Sequence, residues 1–188
     1  MSDETTANGD GEGSEELDIV LDQADAMVHM ETETSEIDID GDGVADGLRT
    51  VSTEVREIDI DGDGEPDIVE TVTIEQTAVD VDGDGVVDVI TTVETAETEM
   101  DFDGDGVADS YEVTEVRTVA HDLDGDGIPD VTRTDVVTAS GILPDDDGDL
   151  QDVEASGVRL YGLDTTGDGV IDEVVAEELD VEVTTDDD

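Results

Sequence analysis

Nine residues, Asp38-Ile39-Asp40-Gly41-Asp42-Gly43-Val44-Ala45-Asp46, hold four carboxylates and two glycines in the pattern D-x-D-G-D-G-x-x-D. The pattern returns at Asp59, Asp80, Asp101 and Asp122, each start lying 21 residues after the last, and a weaker copy opens at Asp164, two periods beyond Asp122. An internal repeat constrains this chain more than any other feature, because every unit must adopt one local structure and stack on its neighbours.

The spacing places carboxylates at loop positions 1, 3, 5 and 9 and glycines at 4 and 6. Acids packed so closely repel unless a cation lies between them. Calcium takes roughly 6 to 8 oxygen ligands from carboxylates and backbone carbonyls, and a loop of this spacing supplies side-chain oxygens from positions 1, 3, 5 and 9 and a carbonyl from position 7. The expected ligands are Asp38, Asp40, Asp42 and Asp46; Asp59, Asp61, Asp63 and Asp67; Asp80, Asp82, Asp84 and Asp88; Asp101, Asp103, Asp105 and Asp109; and Asp122, Asp124, Asp126 and Asp130. Position 7 is Val44, Glu65, Val86, Val107 and Ile128 in turn, as suits a ligand that is a backbone carbonyl. About one calcium ion per full loop is the expectation. The late copy offers Asp164, Thr166, Asp168 and Asp172, with a hydroxyl or bridging water at position 3 and lower affinity. Between these, Asp145–Asp152 starts two residues late, lacks the second glycine, closes one residue early and is expected to bind weakly or not at all. Magnesium, with its stricter octahedral geometry and retained waters, fits less well, and the absence of Cys with only His29 and His121 leaves little for zinc or copper.

These loops resemble the DxDxDG calcium loops of thrombospondin type-3 repeats, dockerins, EF-hands and the hairpins of integrin-type propellers. An EF-hand also needs a bidentate Glu at position 12, where this chain has Arg49, Glu70, Thr91, Glu112 and Arg133. The departure favours a loop closed by the Asp at position 9, similar to the propeller hairpins. By analogy the resemblance implies a protein stiffened by calcium, used in a stalk, fibre, adhesin or surface layer.

Twelve-residue spacers join the loops: Gly47–Ile58, Ile68–Val79, Val89–Met100 and Ser110–His121. They are rich in Val, Thr and Ile, which favour strands. Leu48, Val51, Val55 and Ile58 also fit a helical stripe, but its third position becomes Gln76 and Glu97 in later copies. The expected class is all-β, a 21-residue repeat array of strands joined by Asp/Gly loops. An antiparallel meander, with sites alternating between the two ends of the sheet, is preferred over a β-solenoid. In a solenoid the sites would stack about 4.8 Å apart, and loops that stay negative after binding would repel. Apolar residues flank the loops, as Ile58 and Ile60 or Met100 and Phe102 do, with His121 in the same place. Alternation into the loop sets these on one face and the ligands on the other.

The predicted organisation is a disordered acidic tail over residues 1–16, a β-repeat domain over 17–183 and an acidic tail over 184–188. Within the domain, 17–37 form a cap without a metal site, 38–142 the full repeats and 143–183 degenerate ones. Sixty Asp and Glu against five Arg, with no Lys, give a net charge of −55. Five calcium ions would leave −45, so salt must screen the rest, as in the acidic proteins of extreme halophiles, which this composition resembles. The arginines are expected to pair with surplus carboxylates. Such charge argues against nucleic-acid and anionic-membrane partners, and no apolar run is long enough to cross a membrane. Three aromatic residues predict a thin, aliphatic core. Ligand sets repeated identically suit structure rather than a single active site, so no enzyme is expected.

These features lead to a calcium-dependent structural or interaction protein that self-assembles or meets a protein partner. The alternatives are a soluble calcium buffer or sensor, and an acidic decoy for a basic partner. Calcium loops favour an extracellular, cell-surface or virion setting, although residues 1–16 do not read as a secretory signal.

Overall fold

The computed structural model describes residues 13–21, 25–39, 41–143 and 151–181. These form one antiparallel sheet of nine strands in sequence order. The strands are β1 (Gly13–Leu21), β2 (Asp25–Ile37), β3 (Gly47–Asp59), β4 (Ile68–Val79), β5 (Val89–Met100), β6 (Ser110–His121), β7 (Val131–Ile142), β8 (Gln151–Leu163) and β9 (Glu173–Leu179). The meander expectation holds and the solenoid does not, since each strand packs only against its sequence neighbours. The Val/Thr-rich spacers are strands rather than helices, β-branched side chains prevailing over the partial helical stripe. β1 opens at Gly13, ahead of the Leu17 alternation, and sets Leu17 and Ile19 opposite Met30 and Val28 of β2. Residues 1–12, 22–24, Asp40, most of the sequence assigned to the sixth loop (144–150) and those from 182 onward lie outside the described residues.

Register follows the repeat. The pairs that close successive hairpins are Ile37 with Gly47, Ile58 with Ile68, Val79 with Val89, Met100 with Ser110 and His121 with Val131, each pair 21 residues beyond the last. Odd-numbered residues therefore face odd-numbered partners from β2 to β8, and lie on one side of the sheet because strand side chains alternate. A period of 21 is odd, so a residue and its equivalent in the next repeat occupy opposite faces. Both faces receive the same average composition, and neither becomes a dedicated apolar face.

The consequence is a sheet without a core. No described side chain is fully buried, against the thin aliphatic core expected from composition, because no second layer covers either face. Cohesion is lateral instead. Hydroxyls bridge strands at Thr32–Ser52 (3.0 Å), Thr53–Thr73 (3.3 Å), Thr114–Thr138 (3.1 Å) and Thr118–Thr134 (3.0 Å). Cross-strand pairs of this kind contribute about 0.2–1 kcal/mol each. Apolar ladders run beside the loops: Ile37, Val79, Val89, His121, Val131 and Leu163 at one end, and Ile58, Ile68, Met100 and Ile142 at the other on the opposite face. His121 thus stands where the sequence places a packing residue.

Arginines pair with acids, Arg49 with Glu75 (2.7 Å), Arg56 with Glu70 (3.3 Å), and Arg159 with Asp135 through both Nε (2.5 Å) and Nη2 (3.0 Å). Where the sixth loop is short, register slips between Ser140 and Ile142, so Asp152 and Val153 of β8 oppose Gly141 alone. This is a β-bulge. Asp152, read from sequence as the last residue of a loop, is instead a strand residue with a φ of 50°, the left-handed conformation a bulge can require. The bulge restores alternation after an eight-residue connection that would otherwise invert β8.

Arg159 holds the Asp135 carboxyl below the usual range. A carboxyl with a depressed folded pKa contributes stability above its unfolded pKa of about 3.9 and loses it as pH falls through the folded value. Asp135→Asn should melt below the parent at pH 7, and the gap should close as pH falls through that window; thermal melts at stepped pH read both.

Candidate metal centres

Each loop lies where the ladder of two strands runs out, and its backbone is closed by one bond. The N–H of position 9 donates to the carbonyl just before position 1, as Asp67 does to Ile58 (2.9 Å) and Asp88 to Val79 (2.9 Å). Within the loop, the carboxylates take up the N–H groups that the turn leaves unpaired. Asp80 accepts from Gly83 (2.7 Å) through Oδ1 and from Gly85 (2.7 Å) through Oδ2. Asp88 at position 9 accepts from the N–H of Val81 through Oδ2, and Asp84 at position 5 accepts from Val86 (2.8 Å). The same bonds recur around Asp59, Asp101 and Asp122. Glycine at position 6 is demanded by the backbone, since Gly85 has a φ of 93°.

This folding draws three carboxylates together. In the groups Asp59/Asp61/Asp67, Asp80/Asp82/Asp88, Asp101/Asp103/Asp109 and Asp122/Asp124/Asp130, one oxygen from each residue lies within 4.8 Å of the others. These groups could hold a metal ion. Positions 1, 3 and 9 converge, whereas Asp63, Asp84, Asp105 and Asp126 at position 5 are outside the groups and turn an oxygen to the N–H of position 7. In the first loop Asp38 and Asp46 repeat the pattern, accepting from Gly41 (2.7 Å) and Ile39 (2.7 Å), and Asp42 accepts from Val44 (2.7 Å). In the last, Asp164 accepts from Gly167 (2.7 Å) and Asp168 from Val170 (3.0 Å), while Thr166 directs its hydroxyl to Asp164 (3.3 Å) and Asp172 accepts from the Thr165 hydroxyl (2.7 Å).

The electrostatics within a loop are divided. At position 1, Asp101 is held below the ordinary carboxylate range, first by the N–H of Gly106 and then by that of Gly104. Asp122 and Asp164 are buried, which pushes their pKa values up, yet the N–H groups of Gly127 and Gly125, and of Gly169 and Gly167, outweigh burial and the net shift is downward. At position 3 the balance reverses: Asp103 is raised first by the charge of Asp105, then by burial and Asp109, and Asp124 first by Asp126. The loop prepares an anion at one corner and strains against anions at another. A cation relieves that strain.

Burial of Asp122 and Asp164 was not readable from sequence. They are the only described charged side chains in the buried class. The apolar side chains around the loops differ from expectation too. Those at the strand ends from Ile37 to Val131 are half-buried, Ile142 and Leu163 are exposed, and those at position 2 stand further into solvent, Ile60 being 70% and Phe102 72% exposed. The chain curls past the end of a single-layer sheet there, and nothing lies above it.

No protein-family model matches the chain, and neither a curated protein nor a solved structure is similar to it.

A Cβ at Gly85 would meet nothing within 4 Å, so only conformation opposes a side chain there. Gly85→Ala should cost about 1–2 kcal/mol, measured by denaturant unfolding, with no change in the slope against denaturant.

Proposed function

We propose that this is a calcium-binding structural or interaction protein, whose hairpin loops are folded and stiffened by calcium in the acidic, salt-screened setting of a halophile's surface, fibre or virion. The observation that carries the reading is the return of three convergent carboxylates in four successive loops of a sheet in which no described side chain is fully buried. A sheet with so little apolar burial has small hydrophobic stabilisation, and ions bound only by the folded chain add to it. Calcium suits the loops better than magnesium because they offer carboxylates and carbonyls in quantity on an adaptable backbone rather than a strict octahedron. The position-7 carbonyls and the turned position-5 carboxylates would complete the ligand set.

A second reading, a soluble buffer or sensor, draws support from β9. This edge strand has seven residues and carries Glu173, Glu177 and Glu178, and a short, charged edge discourages further strand pairing.

Chelator-stripped protein in about 1 M potassium chloride, titrated with calcium and with magnesium as control, tests the function by circular dichroism and melting. At a hundredfold excess over Kd each loop should add about 2.7 kcal/mol, and Asp59→Asn with Asp67→Asn should remove one such increment. Identical melting with calcium and with chelator would refute the calcium reading. Sedimentation velocity with calcium present separates the two roles, self-association supporting assembly and a monomer at high concentration supporting the buffer.

A further inference from the structure

The meander sorts the loops into two rows, one at each end of the strands. One row holds the loops that begin at Asp38, Asp80, Asp122 and Asp164, and the other those at Asp59 and Asp101, because consecutive hairpins turn at opposite ends. Loops of one row are joined by backbone. The N–H of Asp80 donates to the carbonyl of Asp46 (2.9 Å), that of Asp122 to Asp88 (2.9 Å) and that of Asp164 to Asp130 (2.8 Å). In the other row Asp101 donates to Asp67 (2.9 Å) and Leu143 to Asp109 (2.7 Å). Position 1 of a loop is thus pinned to position 9 of the loop before it in the row, and in the Asp88–Asp122 and Asp67–Asp101 links both residues are members of the carboxylate groups. Side chains repeat the contact. A Cβ on Gly127 would lie 3.9 Å from Val86 Cγ1, one on Gly169 3.6 Å from Ile128 Cγ2, and one on Gly106 3.4 Å from Glu65 Oε2. In these three pairs position 7 of one loop leans on the position-6 glycine of the next, whereas Gly85 has no such neighbour from the loop at Asp38. Twelve-residue strands separate the rows by about 40 Å.

Building on the calcium reading, we propose that cation binding is positively coupled along each row and independent between rows, and that salt sets the sign of the coupling. A cation that orders positions 1 and 9 of one loop also fixes the backbone bearing the first ligand of its neighbour, so the second cation meets less disorder to remove. Charge opposes this. Neighbouring sites in a row are two strand spacings apart, about 10 Å. At low salt, repulsion between divalent ions at that distance lowers the second affinity by about an order of magnitude. In molar salt the Debye length is about 3 Å and this opposition disappears, leaving the mechanical coupling.

The position-6 glycine N–H groups donate to the position-1 carboxylates of their loops, at 2.9 Å for Gly43 and Gly64, 2.7 Å for Gly85 and 2.8 Å for Gly106, so their amide resonances report each loop separately. Calcium titrations of the full chain in about 1 M potassium chloride, followed at these glycines, compare the parent with Asp82→Asn/Asp88→Asn. The loops of Gly43 and Gly127 should lose about fivefold or more in affinity, the lower range of allosteric coupling, while those of Gly64 and Gly106 keep theirs. The reciprocal variant Asp61→Asn/Asp67→Asn should weaken the Gly106 loop and spare Gly85 and Gly127, which tests the proposal even if the first variant does not fold. The Gly43 and Gly127 losses should shrink or change sign in dilute salt. Equal losses in both rows, or none in either, would overturn the row coupling while leaving calcium binding intact. An absence of calcium shifts at every glycine of the parent would overturn the calcium reading and the coupling with it.

Discussion

Side chains alternate along a strand with a period of two, and a hairpin repeat of odd length carries each residue type to the opposite face at the next strand. In this chain the repeat is 21 and the register follows it without a slip from β2 to β6. An even repeat would gather Val and Ile on one side and build a face able to pack against a second layer. The odd one distributes them, so Val51 and Val93 lie on one face and Val72 on the other. The single layer, the half-buried side chains and the dependence on lateral contacts all follow from that arithmetic.

A sheet built this way has its strongest polar organisation at its ends. There each turn leaves several N–H groups without ladder partners, and each loop meets them with its own carboxylates. The carboxylates that best satisfy the backbone are those at positions 1 and 9, which also form the convergent group with the position-3 acid. One set of residues therefore shapes the turn and concentrates negative charge. A cation or concentrated salt is the natural complement to a chain of net charge −55.

Departures from the repeat have local physical causes. The eight-residue connection between β7 and β8 would invert every following side chain, and the bulge at Asp152 and Val153 cancels the inversion. Beyond it the strands resume register with Val131 opposite Leu163, and the last loop recovers the turn geometry even though Thr166 replaces an acid. Four arginines, Arg49, Arg117, Arg133 and Arg159, share the odd-numbered face. On that face Asp135 lies between Arg133 (3.4 Å) and Arg159 (2.5 Å), a polar cluster amid the aliphatic ladders.

Much of this was legible in the residues. The 21-residue period, strands over the Val/Thr spacers and turns over the Asp/Gly loops are local properties, dictated by β-branching, by glycine at positive φ and by carboxylates close to free N–H groups. Of the carboxylates expected at positions 1, 3, 5 and 9, those at 1, 3 and 9 draw together in the loops beginning at Asp59, Asp80, Asp101 and Asp122. The turning of position 5 toward the position-7 N–H depends on the curl of the loop in three dimensions. Meander against solenoid, the absence of a core and the sorting of loops into two pinned rows depend on which strand edges meet. Sequence alone determined the repeated unit, because its interactions span nine residues; only the tertiary structure decided how units join, because that choice rests on hydrogen bonds between residues such as Asp46 and Asp80, brought together by the register of two whole strands.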